Sequence, residues 1–249
     1  KNDVNMNIKL LFPIENFSWQ ESISQLFGVN SVFYRKNFNL PGHNAIDFII
    51  RNDKSGYGEP VRAMHGGTVT KIVYDNPHQT KGNGVYILDD SGEFYTNYWH
   101  LSNFLVNIGE RIPAWHVIGS IGNSGHVYPK PSPACPRCGT HLHAGVQIIG
   151  LQNEYSGFAD PVPYLYREGH KLPIRFMRDL YIGISGDDVS WLQTILKIEG
   201  FATDYEPIGY FGMKTARDLR ALQLKYSISP AIGYFGRVTR LFISDKYVG

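Results

Sequence analysis

Gly42-His43-Asn44-Ala45-Ile46-Asp47 and His141-Leu142-His143 are the two stretches whose reading decides the fold of this chain. His43 and Asp47 stand four residues apart, and His141 and His143 two apart. The residues that follow, Phe48-Ile49-Ile50 and Val146-Gln147-Ile148-Ile149, are β-branched or aromatic enough to predict strands. Side chains on a strand alternate faces with a period of two. His43 and Asp47 are therefore expected on one face of one strand, and His141 and His143 on one face of another. Pairing those faces across a sheet brings three histidines and a carboxylate together. Two imidazoles and a carboxylate that leave one position to water make a catalytic zinc site, whereas structural sites close all four positions. The two motifs together predict a zinc hydrolase on a β-rich frame.

Each motif alone is weak, because short matches have a high false-positive rate. The chain has nine histidines, and a lone histidine is more often a surface or hydrogen-bonded core residue than a ligand. His100, for example, ends the aromatic run from Tyr95 to Trp99 and by itself reads as a packed core residue. The His-x-His pair changes the balance, since ligands already adjacent on a strand lower the entropy cost of assembling a site.

From about Leu11 to Pro163 the chain resembles the lysostaphin-type zinc endopeptidases of bacterial cell walls, the LytM family. Gln25-Leu26-Phe27-Gly28 resembles the family's entry segment, and Gly42-His43 through Asp47-Phe48 its first metal motif. Pro60-Val61-Arg62-Ala63 with Gly66-Gly67-Thr68-Val69 is similar to its hairpin, and Gly82 through Ile87 to the next strand pair. Tyr98-Trp99-His100-Leu101-Ser102 resembles the third motif. Val106 to Gly109, Val117-Ile118-Gly119 and Gly122-Asn123-Ser124-Gly125 resemble the turns after it, and His141-Leu142-His143 completes the set. Carried over residue by residue, the resemblance implies that His43, Asp47 and His143 hold one Zn2+ per chain, and that His100 and His141 are catalytic and not ligands. His65, His78, His116 and His170 match no functional position of the family. His126 opens a loop that leads towards the site.

That loop departs from the family. Between Gly125 and His141 the usual link is a short polar turn, but here four prolines stiffen residues 126–140 and carry both cysteines, Cys135 and Cys138. A Cys-x-x-Cys reads as a disulfide, a redox pair or half of a zinc knuckle. A knuckle needs a second pair and the redox reading a βαβ context, and neither is present. A local disulfide is the favoured expectation for a secreted chain, with loan of a thiolate to the metal left open. Because it runs into His141, the loop is expected to wall the substrate groove. A second departure is Ala144-Gly145 after His-x-His, where the family often has an aromatic–acidic pair. It predicts a cavity or a reshaped groove floor, and bears on substrate preference more than on zinc.

Composition is that of an ordinary globular chain, with 43% hydrophobic and 18% charged residues among 249. A net charge of +2 gives no argument for nucleic acid. No apolar run approaches the roughly 20 residues of a membrane span. No signal peptide is read, although the chain starts at Lys1, which is compatible with removal of a leader.

After residue 163 the pattern changes. A connecting stretch, 164–178, gives way to helical periodicity. Asp187-Asp188 starts an amphipathic helix through Val189, Leu192, Ile195 and Leu196, stopped by Gly200. A second helix is predicted over Lys214–Tyr226, buried along Ala216, Leu219, Leu222 and Tyr226, and a third over Val238–Ile243. Gly209-Tyr210-Phe211-Gly212-Met213-Lys214-Thr215 recurs as Gly233-Tyr234-Phe235-Gly236-Arg237-Val238-Thr239, twenty-four residues on. Gly183 to Leu241 is similar to the peptidoglycan-binding domain type 1, a three-helix module.

The expected fold is multidomain. A mainly-β, lysostaphin-like antiparallel domain (1–163) and a linker (164–178) precede a small all-α three-helix domain (179–249). The resemblances imply an endolysin-like, monomeric zinc endopeptidase whose partner is peptidoglycan. It would be secreted, periplasmic or wall-associated, with phage-borne origin as one source. The rivals are a catalytically inactive wall-binding adaptor or activator, and a zinc protease acting on proteins.

Overall fold

The computed structural model describes residues 8–15, 17–18, 21–51, 55–76, 81–165, 175–202 and 209–248. In chain order these form β1 (Ile23–Gln25), α1 (Ser31–Phe38), β2 (Ile46–Phe48), β3 (Pro60–Arg62) and β4 (Gly67–Val73). Then come β5 (Gly84–Asp89), β6 (Phe94–Trp99), β7 (Leu101–Phe104), β8 (Arg111–Ile112), β9 (Val117–Ile121), β10 (Leu142–Ile148) and β11 (Phe158–Ala159). The helices α2 (Val162–Leu165), α3 (Asp187–Ile198), α4 (Met213–Lys225) and α5 (Arg237–Tyr247) follow. The chain divides into two compact units, one of residues 1–17 and 48–149 and the other of residues 18–47 and 150–249.

The first unit is mainly antiparallel β. Strands β10, β6, β5, β4 and β8 lie side by side in that order, and β3, β9 and β7 make a second small sheet. Alternation sets the two faces of the larger sheet. Leu142, Ala144, Val146, Thr96, Tyr98, Val85 and Ile87 are wholly buried on one side, while His143, Gln147, Tyr95, Tyr86 and Leu88 on the other are half-buried. Tyr98 ties the buried face to the segment after β3, its hydroxyl accepting the Met64 N–H at 2.7 Å. The same hydroxyl lies 2.9 Å from that of Thr96, which lies 2.8 Å from Nε2 of His65. His65 is thus a core residue, its Nδ1 2.8 Å from the Gly66 carbonyl. The predicted strand at Val146–Ile149 is found, but it begins at Leu142 and ends at Ile148.

The second unit holds the helical tail. All three predicted helices form, the third running four residues further, to Tyr247, which is buried. Asp187 and Asp188 sit in the first turn of α3, where negative charge suits the helix dipole. Neither is the cap residue. That position is Gly186, and Asp188 instead takes a bidentate pair from Arg178, with Nε and Nη2 at 2.7 and 2.9 Å.

The Gly-Tyr-Phe-Gly repeat has a polar cause. Gln193 of α3 donates from Nε2 to the Tyr210 carbonyl at 2.9 Å and lies 3.0 Å from the Thr215 hydroxyl, and its Oε1 accepts the Gly209 N–H at 3.0 Å. Gln223 of α4 repeats this one copy later with Tyr234, Thr239 and Gly233, at 2.8, 2.9 and 2.9 Å. Each buried glutamine staples one repeat turn to the first threonine of the next helix. Phe211 and Phe235 fill the core beside them. A buried amide left unpaired costs about 1–3 kcal/mol, so full satisfaction is what makes a glutamine tolerable there. The Asp160 carboxylate acts similarly at α2, accepting the Val162 N–H at 3.0 Å and the Thr194 hydroxyl of α3 at 2.9 Å.

Burial pushes the His65 imidazole below its ordinary pKa, outweighing the favourable Gly66 carbonyl and the charges of Asp89 and Asp90. A group depressed in the folded state contributes stability that is complete above its unfolded pKa of about 6.5 and lost as pH falls towards the folded value. Denaturant titrations of wild type and His65→Gln between roughly pH 7 and 5 should show wild-type stability falling more steeply with acid. Equal slopes would remove His65 as a source of acid lability.

Candidate metal centre and active site

His43 does not lie on a strand, contrary to the shared-face expectation; it precedes β2. Its main chain is tied instead to Gly28 and Val29, its N–H bonding the Val29 carbonyl at 2.9 Å and its carbonyl accepting the Gly28 N–H at 2.8 Å. Gly42 permits that close approach, since a Cβ there would meet the Gly28 oxygen at 2.2 Å. The turn still brings the paired side chains together, with His43 Nε2 3.1 Å from Asp47 Oδ1. Both residues are buried. Nδ1 of His43 lies 3.0 Å from the Leu26 carbonyl. A carbonyl only accepts, so Nδ1 bears the proton and Nε2 keeps the lone pair a metal needs.

His143 is on β10, opposite Trp99 of β6. His141 stands just ahead of the strand in a bridge to Gly122. The ring of His100 lies 4.5 Å from that of His141 and 6.0 Å from that of His143, centroid to centroid. His100 joins β6 to β7 with φ of 65°. For a residue with a side chain such a backbone costs about 1–3 kcal/mol and persists only where the surroundings over-determine it.

Those surroundings are specific. His100 donates from Nδ1 to the Ser124 carbonyl at 2.8 Å. The Ser124 hydroxyl donates to Leu101 O and accepts the Asn83 N–H, both at 2.9 Å, and the Asn83 side chain donates to the same Leu101 carbonyl. Gly82 and Gly125, both at positive φ, let two backbones touch here, and a Cβ on Gly82 would sit 2.4 Å from the Ser124 oxygen. The glycine-rich stretches Gly82-Asn83-Gly84 and Gly122-Asn123-Ser124-Gly125 therefore build the seat of His100. His141 is held alike, with Nδ1 2.8 Å from the Gly139 carbonyl.

Gly139 closes the proline-rich loop. Cys135 and Cys138 form a disulfide, with Cα atoms 5.4 Å apart, so neither sulfur serves as a metal ligand. Asn123 secures the loop by donating from Nδ2 to the carbonyls of Pro136 and Cys138, each at 3.0 Å.

One ligand atom each from His43, Asp47 and His143 lies within 4.8 Å of the others. The donor set fits a zinc ion, with two imidazole nitrogens and one carboxylate oxygen. His43 already has the tautomer required, and a carboxylate as buried as Asp47 calls for a positive partner. His100 and His141 supply no atom to that group. His116 is half-buried and His126 exposed, while His78 and His170 lie outside the described residues.

Two residues beside the site had no role read from the sequence, although Trp99 lies within the third motif. Tyr34 of α1 lies 5.3 Å from the His43 ring, and burial, reinforced by the Asp47 charge, raises its phenol pKa. The Trp99 indole lies against Gly84, where a Cβ would meet its ring at 2.4 Å, and stands at 87° to the Tyr86 ring with centroids 5.6 Å apart.

Residues 41–155 match the sequence profile of Peptidase family M23. Glycyl-glycine endopeptidase ALE-1 of Staphylococcus capitis is 27% identical over 153 residues, covering 61% of this chain and 36% of that protein. Peptidoglycan DD-endopeptidase ShyC of Vibrio cholerae is 31% identical over 112 residues, covering 45% and 22%. The chain thus spans little more than a third, or less, of the length of these relatives. Among solved structures, lysostaphin from Staphylococcus simulans aligns with a TM-score of 0.45 at 21% identity, covering 61% of this chain and 52% of that one. A zinc-containing peptidase from Vibrio cholerae aligns at 0.42 and 23%, covering 61% and 39%.

Gly82→Ala should push the Ser124 carbonyl off His100. The expected result is loss of the fixed Nδ1–H tautomer of His100 in nitrogen-15 NMR spectra, with His65 unchanged. An unaltered His100 tautomer would mean that the glycine contact does not position this ring.

Proposed function

We propose that the chain is a zinc-dependent endopeptidase that hydrolyses peptide cross-links of bacterial peptidoglycan. The observation that carries this reading is the convergence of His43, Asp47 and His143 ligand atoms within a segment matching Peptidase family M23. Its substrate is inferred from relatives whose names specify glycyl-glycine and peptidoglycan DD-endopeptidases. The catalytic module is assigned to residues 1–163, followed by a linker over 164–178, most of which lies outside the described residues.

In this reading His43, Asp47 and His143 hold the zinc, which when bound activates water and polarises the scissile carbonyl as a Lewis acid. His100 and His141 perform the proton chemistry. With Nδ1–H engaged by a main-chain carbonyl, a neutral ring presents a lone pair at Nε2 and takes the proton of the attacking water. A protonated ring presents Nε2–H, which stabilises the developing oxyanion or returns the proton to the leaving amine. The left-handed backbone of His100 is the strain accepted to aim one of these rings. The disulfide-closed loop, ending at Gly139, forms a wall of the groove.

Residues 179–249 act as a three-helix wall-binding domain, supported by α3, α4, α5 and the two glutamine staples. Tethering raises the substrate concentration at the catalytic module without any added contact at the scissile bond. No helix among the described residues is long and apolar enough to cross a membrane. A monomer working outside the cytoplasm, at the wall, fits the substrate.

The test is digestion of two purified sacculi, one glycine-bridged and one directly cross-linked, with and without a chelator, reading muropeptides by mass spectrometry. Chelator-sensitive loss of cross-linked dimers from at least one is expected. His43→Ala and Asp47→Ala should lose zinc and activity together. His141→Ala should keep zinc and lose roughly a hundredfold or more of turnover. Wall binding without release from either substrate would turn the reading to an adaptor.

A further inference from the structure

Asn97 lies at the centre of the sheet face that carries His143. The antiparallel register puts His143 opposite Trp99, Gly145 opposite Asn97 and Gln147 opposite Tyr95. On the other side of β6, Trp99 faces Gly84 and Asn97 faces Tyr86. Directly opposed residues share a face, so His143, Gly145, Asn97, Trp99 and Tyr86 stand together. Asn97 is 0% exposed, and neither its Nδ2 nor its Oδ1 has a hydrogen-bond partner among the described residues.

An amide in that state is costly in a folded core, because both its donor and its acceptor have given up water without replacement. Among the described residues the other buried side-chain amides, Gln193 and Gln223, are satisfied in full. On the β10 side the register partner of Asn97 is Gly145, which has no side chain and is itself buried. The bare Gly145 and the unpaired Asn97 are thus direct cross-strand neighbours.

We propose that Asn97 is a specificity-determining residue whose carboxamide hydrogen-bonds a peptide group of the substrate. A carboxamide offers an N–H and a C=O side by side, which complements the C=O and N–H of an extended chain. Asn97 is in register with the second residue along β10 from His143, a separation of roughly 7 Å at the usual strand rise. An extended substrate lying along this face therefore presents to Asn97 a peptide group about two residues from the bond cut beside His143. Because Asn97 is fully buried, the substrate reaches it by displacing a flanking side chain, and the half-buried Tyr86 and Gln147 share its face. This inference rests on the endopeptidase reading for the substrate's identity.

The test compares wild type with Asn97→Leu, which keeps the volume and removes both polar atoms. Zinc content and folding should be retained, with melting temperature equal or higher, since an unsatisfied amide is gone. The kcat/KM for a soluble cross-linked muropeptide should fall tenfold or more, with the loss mainly in KM. Kinetics within twofold of wild type, with raised stability, would reduce Asn97 to a structural residue and overturn the proposal. Should the leucine variant not fold, Asn97→Ser, which withdraws the polar atoms from reach, is read by the same criteria.

A second measurement separates this proposal from the endopeptidase reading. Calorimetric binding of oligoglycine and of a D-alanyl cross-linked dimer is compared between zinc-loaded His141→Ala and the same variant with Asn97→Leu. At least one peptide should bind tenfold more weakly to the double variant even if no sacculus is digested. Equal binding of both peptides, or none by either protein, would overturn the proposal.

Discussion

Three histidines, His43, His100 and His141, each give an Nδ1 proton to a main-chain carbonyl, of Leu26, Ser124 and Gly139 respectively. This single device fixes ring orientation and tautomer together, so that Nε2 is the nitrogen without the proton in each neutral ring. A side-chain partner would have brought its own rotamers. A carbonyl in a fixed turn brings none, so the accuracy of each ring is inherited from the backbone behind it. The unusual features nearby make sense as support for those three carbonyls.

The support is supplied by close backbone approaches rather than by bulky packing. Gly42 lies against Gly28, and the turns at Gly82 and Gly125 lie against each other at distances that exclude a Cβ. Asn83, Ser124 and Asn123 then lace those turns with side-chain hydrogen bonds to main chain. The disulfide between Cys135 and Cys138 closes the loop just before Gly139, limiting how far that carbonyl can drift. Sequence, turn geometry and proton placement form one chain of causes, ending at the lone pairs on Nε2.

Much of this was legible in the residues. Period-two alternation and β-branched content predicted β10, and period-3.6 apolar spacing predicted α3 and α4 to within a residue or two of their ends. The glycine-bounded repeat marked the turns before α4 and α5. What escaped was set by tertiary contact. Ile49 and Ile50 look like strand residues, yet β2 ends at Phe48, and His43 meets Asp47 through a turn that no alternation rule describes. On α4 the polar Thr215 and Gln223 are buried while Ala216 and Tyr226 are only partly so. Apolar spacing cannot see a core built around a satisfied amide. The unpaired Asn97 and the indole against Gly84 were invisible for the same reason, since both depend on which strands become neighbours.

The central claim is that two imidazoles and one carboxylate, and no sulfur, form the metal centre. X-ray absorption at the zinc edge of the zinc-loaded protein tests it most directly. The account predicts one zinc per chain with nitrogen and oxygen neighbours only, at about 2.0–2.2 Å, and imidazole scattering from two rings. Sulfur scattering near 2.3 Å, or failure to retain stoichiometric zinc, would contradict it.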